Sequence, residues 1–164
     1  MVSLSRLLRH LATPGWIVRR AFDAATLQAI EQAIADTERS HGGEIRFAVE
    51  ASANPRDMMR GITPRHQALA AFARLGVWDT ESNNGVLIYV SWADRDVEIV
   101  ADRGFNGLVS AQEWAEVCRR MEQAFARGSP RQAIVEGIAA VGALIARHFP
   151  TGDRDELPNR PVLL

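Results

Sequence analysis

The stretch GVLIYVSWADRDVEIVA (85–101) decides the fold. Its first seven residues (85–91) are nearly all apolar and rich in β-branched side chains, which is the pattern of a central strand covered on both faces. Residues 93–96, ADRD, are typical of a tight turn, and residues 97–101 again favour a strand. The segment therefore predicts an antiparallel hairpin whose first strand lies inside a sheet.

The sequence on either side places one more strand and four helices around this hairpin. Residues 44–51 alternate apolar and polar side chains, which indicates a strand with one polar face. Because strand–helix–strand connections join parallel strands, this strand should run parallel to the first strand of the hairpin. The order is then helix, strand, helix, strand, strand, helix, helix. It predicts an α/β fold, a three-layer α/β/α sandwich with a small mixed β-sheet.

Three segments are expected along the chain. Residues 1–21 form a basic amphipathic leader, residues 22–149 a single domain, and residues 150–164 a flexible C-terminal tail rich in proline and charge. The apolar helix predicted over residues 133–146 is shorter than a membrane span requires, so it is expected in the core. The sequence thus predicts one domain and no transmembrane segment.

Composition excludes several chemistries. All 19 basic residues are arginine, so a Schiff-base lysine, a lysine general base and a P-loop lysine are absent. The lone cysteine, Cys118, excludes an internal disulfide framework and a multi-cysteine zinc site. The net charge of −1 hides an uneven distribution, since residues 1–22 carry four arginines and no acid, whereas residues 76–118 carry eight acids and two arginines. This acidic middle repels nucleic acid and attracts cations.

The leader has two possible uses. Four leucines share one face of a predicted helix, and this face lies opposite Arg6, Arg9 and His10. The leucines are Leu4, Leu7, Leu8 and Leu11. A basic amphipathic helix followed by Trp16 can lie on an anionic membrane surface. The alternative is that Leu7, Leu11 and Trp16 dock on the domain. Because the leader lacks a secretion signal, a cytoplasmic protein is expected, peripheral at the inner membrane in the first case.

Three polar loops, at residues 40–44, 78–85 and 101–107, should meet at one edge of the sheet. They would bring together His41, Glu44, Asp79, Glu81, Asn83, Asn84, Asp102 and Asn106. Oxygen-rich side chains on glycine-containing loops suit Ca²⁺ or Mg²⁺. The expected metal ligands are Asp79, Glu81, Asn83, Asn84 and Asp102. The alternative is that these residues only form turns and helix caps.

A metal-dependent phosphatase is a second hypothesis for the same loops. Asp79 and Asp102 would hold the ion, Arg103 would stabilise developing negative charge, and His41 would donate a proton. The sequence contains neither G-x-S-x-G nor G-x-G-x-x-G, so a serine hydrolase or a dinucleotide-binding protein has no support.

Over NNGVLIYVSWADRDVEIVADRGFNG (83–107) the sequence resembles the TPM domain family, which includes a thylakoid-lumen phosphatase-like protein, a photosystem-repair factor, a receptor modulator and many bacterial proteins. The resemblance spans about residues 22–149 and indicates a short bacterial form. It includes the Gly43–Ile45 strand start and the Gly76–Trp78 turn.

The resemblance implies a three-layer α/β/α fold and a shallow acidic pocket for calcium or a similar cation, with weak acid-phosphatase activity in some members. Asn83 and Asn106 stand where the family typically has an acid, which lowers the expected cation affinity. The protein is therefore expected to be a cation-binding accessory or interaction module with a protein partner. A weak metal-dependent acid phosphatase is the alternative.

Overall fold

A computed structural model describes residues 4–151 and 155–164. The helices in this part of the chain are α1 (Leu4–Leu11), α2 (Gly15–Ala21), α3 (Ala24–Glu38), α4 (Pro55–Met59), α5 (Pro64–Arg74), α6 (Ala111–Ala126) and α7 (Pro130–Ala146). The strands are β1 (Glu44–Glu50), β2 (Gly85–Ser91), β3 (Asp96–Ala101) and β4 (Val162–Leu163). A 3-10 turn follows β3 at Arg103–Phe105.

The strands form one mixed sheet in the order β3-β2-β1-β4. β1 and β2 are parallel, with Glu44 opposite Gly85, and β2 and β3 form an antiparallel hairpin, with Val86 opposite Ala101. The predicted hairpin and the predicted parallel pair are therefore both confirmed.

Side chains of β2 alternate between two apolar cores. Val86, Ile88 and Val90 face the larger core, to which α3, α6 and α7 contribute. Leu87 and Tyr89 face a smaller core built with α5. Burial on both faces explains why this strand is apolar along its whole length. The three-layer α/β/α sandwich predicted from the sequence is confirmed.

Helix ends follow the capping signals in the sequence. Asp23 accepts a 2.8 Å hydrogen bond from the backbone N–H of Thr26 and so begins α3. Ser110 and Glu113 form a reciprocal capping box at the start of α6. The apolar helix α7 lies in the core, as expected. In the described ranges, every helix is too short or too polar to cross a bilayer.

The C-terminal segment departs from its predicted flexibility, because residues 155–164 lie against the sheet. Leu157 is buried in the smaller core, and β4 pairs in parallel with β1 at Ala48 and Val49. The backbone N–H of Leu164 also donates to the carbonyl of Val49 at 2.9 Å. Proline and charged residues dominate the composition of this segment. It is nevertheless ordered because its few apolar side chains pack in the smaller core and its backbone forms hydrogen bonds with the edge of β1.

The structure contradicts the interpretation that the leader docks on the domain through Leu7, Leu11 and Trp16. Leu11 and Trp16 are exposed and Leu7 is only half-buried, so these side chains do not anchor the leader on the domain. The opposite, polar side of α1 contacts the domain instead, through Arg6 and His10.

Candidate functional site

The three polar loops meet at the edge of the sheet where β1 and β2 begin and β3 ends. The backbone N–H of Glu44 donates to the carbonyl of Asn84 at 3.2 Å, and that of Asp102 donates to the carbonyl of Gly85 at 2.9 Å. The predicted meeting of the loops at one edge is confirmed. We call this region, comprising residues 38–44, 78–85, 101–107 and 155–157, the acidic edge.

Two glycines allow the loops to approach so closely. A Cβ atom on Gly85 would lie 2.0 Å from the carbonyl oxygen of Val77, and one on Gly104 would lie 2.4 Å from that of Asn83. Neither backbone atom can move away easily, so both positions need glycine. Asn83 itself has a φ of 52°, a left-handed conformation that asparagine tolerates well.

The two asparagines of the acidic edge have different partners. The side-chain oxygen of Asn83 accepts a 2.7 Å hydrogen bond from Nε of Arg103. Asn84 is fully buried, and its side-chain N–H₂ donates to the carbonyl of Gly42. The other side-chain atom of Asn84, Oδ1, is buried without a hydrogen-bond partner in the described structure. Asn83 is therefore occupied by a cationic side chain, whereas Asn84 keeps an oxygen available.

The three acids predicted as ligands lie in different surroundings. Asp102 caps the 3-10 turn, since its Oδ1 accepts from the N–H of Arg103 at 2.7 Å, and its Oδ2 is buried without a partner in the described ranges. Asp79 and Glu81 are exposed. Within the described residues, these three carboxylates do not come together as a group with oxygens within 4.8 Å.

A different set of carboxylates does come together at the acidic edge. Glu38, Glu44 and Asp155 each offer an oxygen, and these oxygens lie within 4.8 Å of one another. Glu38 accepts from the backbone N–H of Ile45 at 2.8 Å, and Glu44 accepts from that of Leu157 at 3.0 Å. We call this set the acid trio.

Only part of the acid trio had a signal in the sequence. Glu44 belongs to a predicted loop, and Glu38 ends the helix just before that loop. Asp155 lies in the segment expected to be flexible, and nothing in the sequence pattern links it to β1.

Burial and mutual repulsion raise the pKa values of two members of the acid trio, Glu38 and Glu44. Burial raises the pKa of Glu38 to about 8, and the charges of Glu44 and Asp155 add to the increase. Burial likewise raises the pKa of Glu44, with Asp155 again contributing. Among residues 4–151 and 155–164, no arginine forms an ion pair with any of the three. The fold thus brings carboxyl groups together without supplying a basic partner for them from the described part of the chain.

The two candidate catalytic residues are placed as follows. His41 is fully buried, its Nδ1 accepts a 3.2 Å hydrogen bond from the backbone N–H of Gly43, and burial lowers its pKa. Arg103 is exposed and is engaged by Asn83. His41 therefore does not present an exposed acidic proton to a substrate.

The acid trio offers three carboxylate oxygens within 4.8 Å of one another. Oxygen donors of this kind are the ligands that Ca²⁺ and Mg²⁺ prefer.

Comparison with known proteins identifies the family of this chain. The sequence model of the TPM domain family matches residues 19–144. The chain is 33% identical to the BA42 protein of the psychrophilic bacterium Bizionia argentinensis, whose NMR structure superposes with a TM-score of 0.76. That match covers 87% of this chain and 94% of the BA42 chain. No curated protein matches the chain.

Two more distant structures share the fold. The N-terminal domain of a protein from P. gingivalis is 18% identical with a TM-score of 0.59, and the match covers 82% of each chain. The N-terminal domain of the cg2496 protein of Corynebacterium glutamicum is 16% identical with a TM-score of 0.55, covering 82% of this chain and 79% of that one. The model match and the BA42 similarity together establish that this chain belongs to the TPM domain family.

Proposed function

We propose that the protein is a non-enzymatic accessory module that binds a divalent cation at the acidic edge. The observation that carries this proposal is the acid trio, in which Glu38, Glu44 and Asp155 approach within 4.8 Å. Bringing carboxylates together costs free energy that a bound cation recovers. Asn84 and Asp102, each with a buried oxygen that lacks a partner in the described structure, lie on other loops of the same edge. The exposed acids Asp79 and Glu81 add negative charge to the same edge, and the backbone N–H of Glu81 donates to the carboxylate of Glu156, next to Asp155.

Coordination geometry favours calcium over magnesium at this site. Its coordination shell accepts six to eight oxygens in irregular geometry, whereas Mg²⁺ demands a near-ideal octahedron. The carboxylates of the acid trio come from the end of α3, the start of β1 and the C-terminal segment. Donors from such different elements form an irregular coordination shell. Because Asn83 and Asn106 are neutral, we expect binding in the range of weak extracellular-type sites, on the order of 10⁻⁴–10⁻³ M.

The location of Asp155 suggests what the cation does. Asp155 belongs to the same segment as Leu157, which is buried, and β4, which pairs with β1. A cation bound by the acid trio would fasten this segment to the start of β1. The module would then present one surface with the cation and another without it, and a protein partner could distinguish them.

Amide NMR during a Ca²⁺ titration tests the proposal, with Mg²⁺ as a comparison. We expect shifts in residues 38–45 and 155–157, and a Kd raised by roughly tenfold or more in Glu44→Gln. Glu31→Gln, an exposed acid on the same helix as Glu38, is the matched control and should bind normally. An absence of shifts at millimolar Ca²⁺ would refute cation binding. Shifts confined to residues 79–84 and 102–107, together with an unchanged Kd in Glu44→Gln, would mean that the ion binds at the loops. This result would refute the role of the acid trio.

Acid phosphatase activity is the alternative weighed from the sequence. It needs a proton donor near the ion, and the buried His41 is a poor one. We therefore expect no chelator-sensitive hydrolysis of para-nitrophenyl phosphate. Hydrolysis that is lost both with chelator and in Asp102→Asn would favour the phosphatase over the accessory module.

A further inference from the structure

α1 presents its apolar side to solvent. Leu4, Leu8 and Leu11 are 72%, 56% and 63% exposed. Their spacing of four and then three residues puts them on one stripe of the helix. A surface helix of a globular domain normally turns such a stripe inward, so the orientation of α1 is reversed.

The polar side of α1 holds this orientation. Arg6 donates two hydrogen bonds of 2.8 Å to the two carboxylate oxygens of Asp94 in the β2–β3 turn. Nε2 of His10 lies 3.0 Å from Oδ1 of Asp94, and Nδ1 of His10 accepts from the backbone N–H of Ala53 at 2.8 Å. Burial alone would raise the pKa of Asp94, but the hydrogen bonds from Arg6 and His10 lower it to about 2. The carboxylate is therefore charged at neutral pH, and the leucine stripe stays outward.

α2 adds an aromatic ring and two cations. Trp16 is 62% exposed, and Arg19 and Arg20 are also exposed. The arginines follow Trp16 by three and four residues, so all three side chains share one side of the helix. Tryptophan with neighbouring arginine is the combination that favours the boundary between lipid headgroups and acyl chains.

We propose that α1 and α2 form a docking face for an anionic lipid bilayer. In this arrangement the apolar side chains enter the boundary between headgroups and acyl chains, and the arginines contact lipid phosphates. The docking face consists of Leu4, Leu8, Leu11, Trp16, Arg19 and Arg20.

Charge complementarity selects a bilayer over a second copy of the chain. The docking face carries the exposed Arg19 and Arg20, and residues 1–22 contain no acid, so two docking faces brought together would repel each other. The rest of the chain has 15 arginines against 20 acids. An anionic surface therefore attracts the docking face and repels the rest of the domain, which orients the protein on the membrane. This inference does not depend on the cation site and is tested in chelator.

Vesicle co-sedimentation of the full chain tests the proposal, with phosphatidylcholine alone and with phosphatidylcholine containing 30% phosphatidylglycerol. Each surface arginine near an anionic bilayer contributes about a fivefold change, so Arg19→Gln/Arg20→Gln should bind roughly 25-fold more weakly. Leu4→Ser/Leu8→Ser/Leu11→Ser should bind at least about tenfold more weakly, because serine removes the inserted area. Leu69→Ser and Leu108→Ser, at leucines 45% and 46% exposed on other elements, are matched controls and should bind normally.

The outcomes are distinct. Binding of the wild-type chain to the anionic vesicles only, lost in the two docking-face variants and kept in the leucine controls, supports the proposal. Equal binding to neutral vesicles, no wild-type binding, or normal binding by the triple leucine variant overturns it. A dimer that the triple leucine variant dissociates, seen by sedimentation without vesicles, would assign the same face to a second copy and would also overturn it. Far-ultraviolet circular dichroism establishes that each variant is folded.

Discussion

Replacing Glu38 with glutamine should stabilise the fold at alkaline pH. The folded-state pKa of Glu38 is about 8, far above its ordinary value of 4.5, and burial is the main cause. The native state therefore binds this proton more tightly than the unfolded state. The stability linked to the proton is complete below pH 4.5 and is lost as the pH rises through 8. Glutamine mimics the protonated carboxyl and can still accept from the N–H of Ile45 through its side-chain oxygen.

The size of the effect follows from the shift. A full shift of this size would cost about 2.6 kcal/mol of unfolding free energy between pH 6 and pH 9. Glu38 is only partly buried, so solvent screening reduces the expected loss to roughly 1–2 kcal/mol.

Urea unfolding at pH 6, 7.5 and 9, in chelator so that no cation contributes, measures the effect. The wild-type chain should lose this amount relative to Glu38→Gln as the pH rises, whereas Glu31→Gln, exposed on the same helix, should follow the wild type. If wild type and Glu38→Gln lose stability in parallel between pH 6 and pH 9, the raised pKa of Glu38 is refuted.

Three further outcomes are expected. Because Ca²⁺ must displace the proton of Glu38, its apparent affinity should rise by up to about tenfold per pH unit below pH 8, and calorimetry that finds equal affinity at pH 6.5 and 7.5 would contradict this. Gly85→Ala should lower the unfolding free energy by about 3 kcal/mol, since its Cβ would lie 2.0 Å from a carbonyl oxygen, whereas Gly15→Ala, with nothing within 4 Å, should be close to neutral in thermal unfolding. Asp94→Asn should release α1 at a cost of about 2 kcal/mol, measured as faster tryptic cleavage at Arg9; unchanged cleavage would show that the ion pairs do not hold the helix.

Local patterns predicted strands β1, β2 and β3 and the edge at which the loops meet, but not β4. The continuous apolar run of β2 and the alternation in β1 each determine a strand, and the rules for chain connections determine their relative direction. Once β1 and β2 are parallel and β3 is antiparallel, the positions of Asn84 and Asp102 at one edge follow without further information. These features depend on residues close together in the sequence.

The acid trio and the leader could not be predicted in the same way. Asp155 is more than 100 residues from Glu38 and Glu44, and composition alone made its segment look flexible. For the leader, periodicity identified an amphipathic helix but did not say which side contacts the domain. That choice depends on the pairing of Arg6 and His10 with Asp94, a contact between distant parts of the chain.

The short strand β4 also affects how the protein behaves in a crowded solution. Its two residues and the bond from Leu164 to Val49 occupy the side of β1 that does not face β2. A bare strand edge is a template on which another polypeptide can add a strand, and this is a common route to aggregation. The middle of β1 contains the apolar residues Ile45, Phe47 and Val49, so an uncovered edge of this strand would favour aggregation. A segment with little secondary structure of its own therefore contributes to solubility by covering hydrogen-bonding groups that would otherwise recruit neighbouring chains.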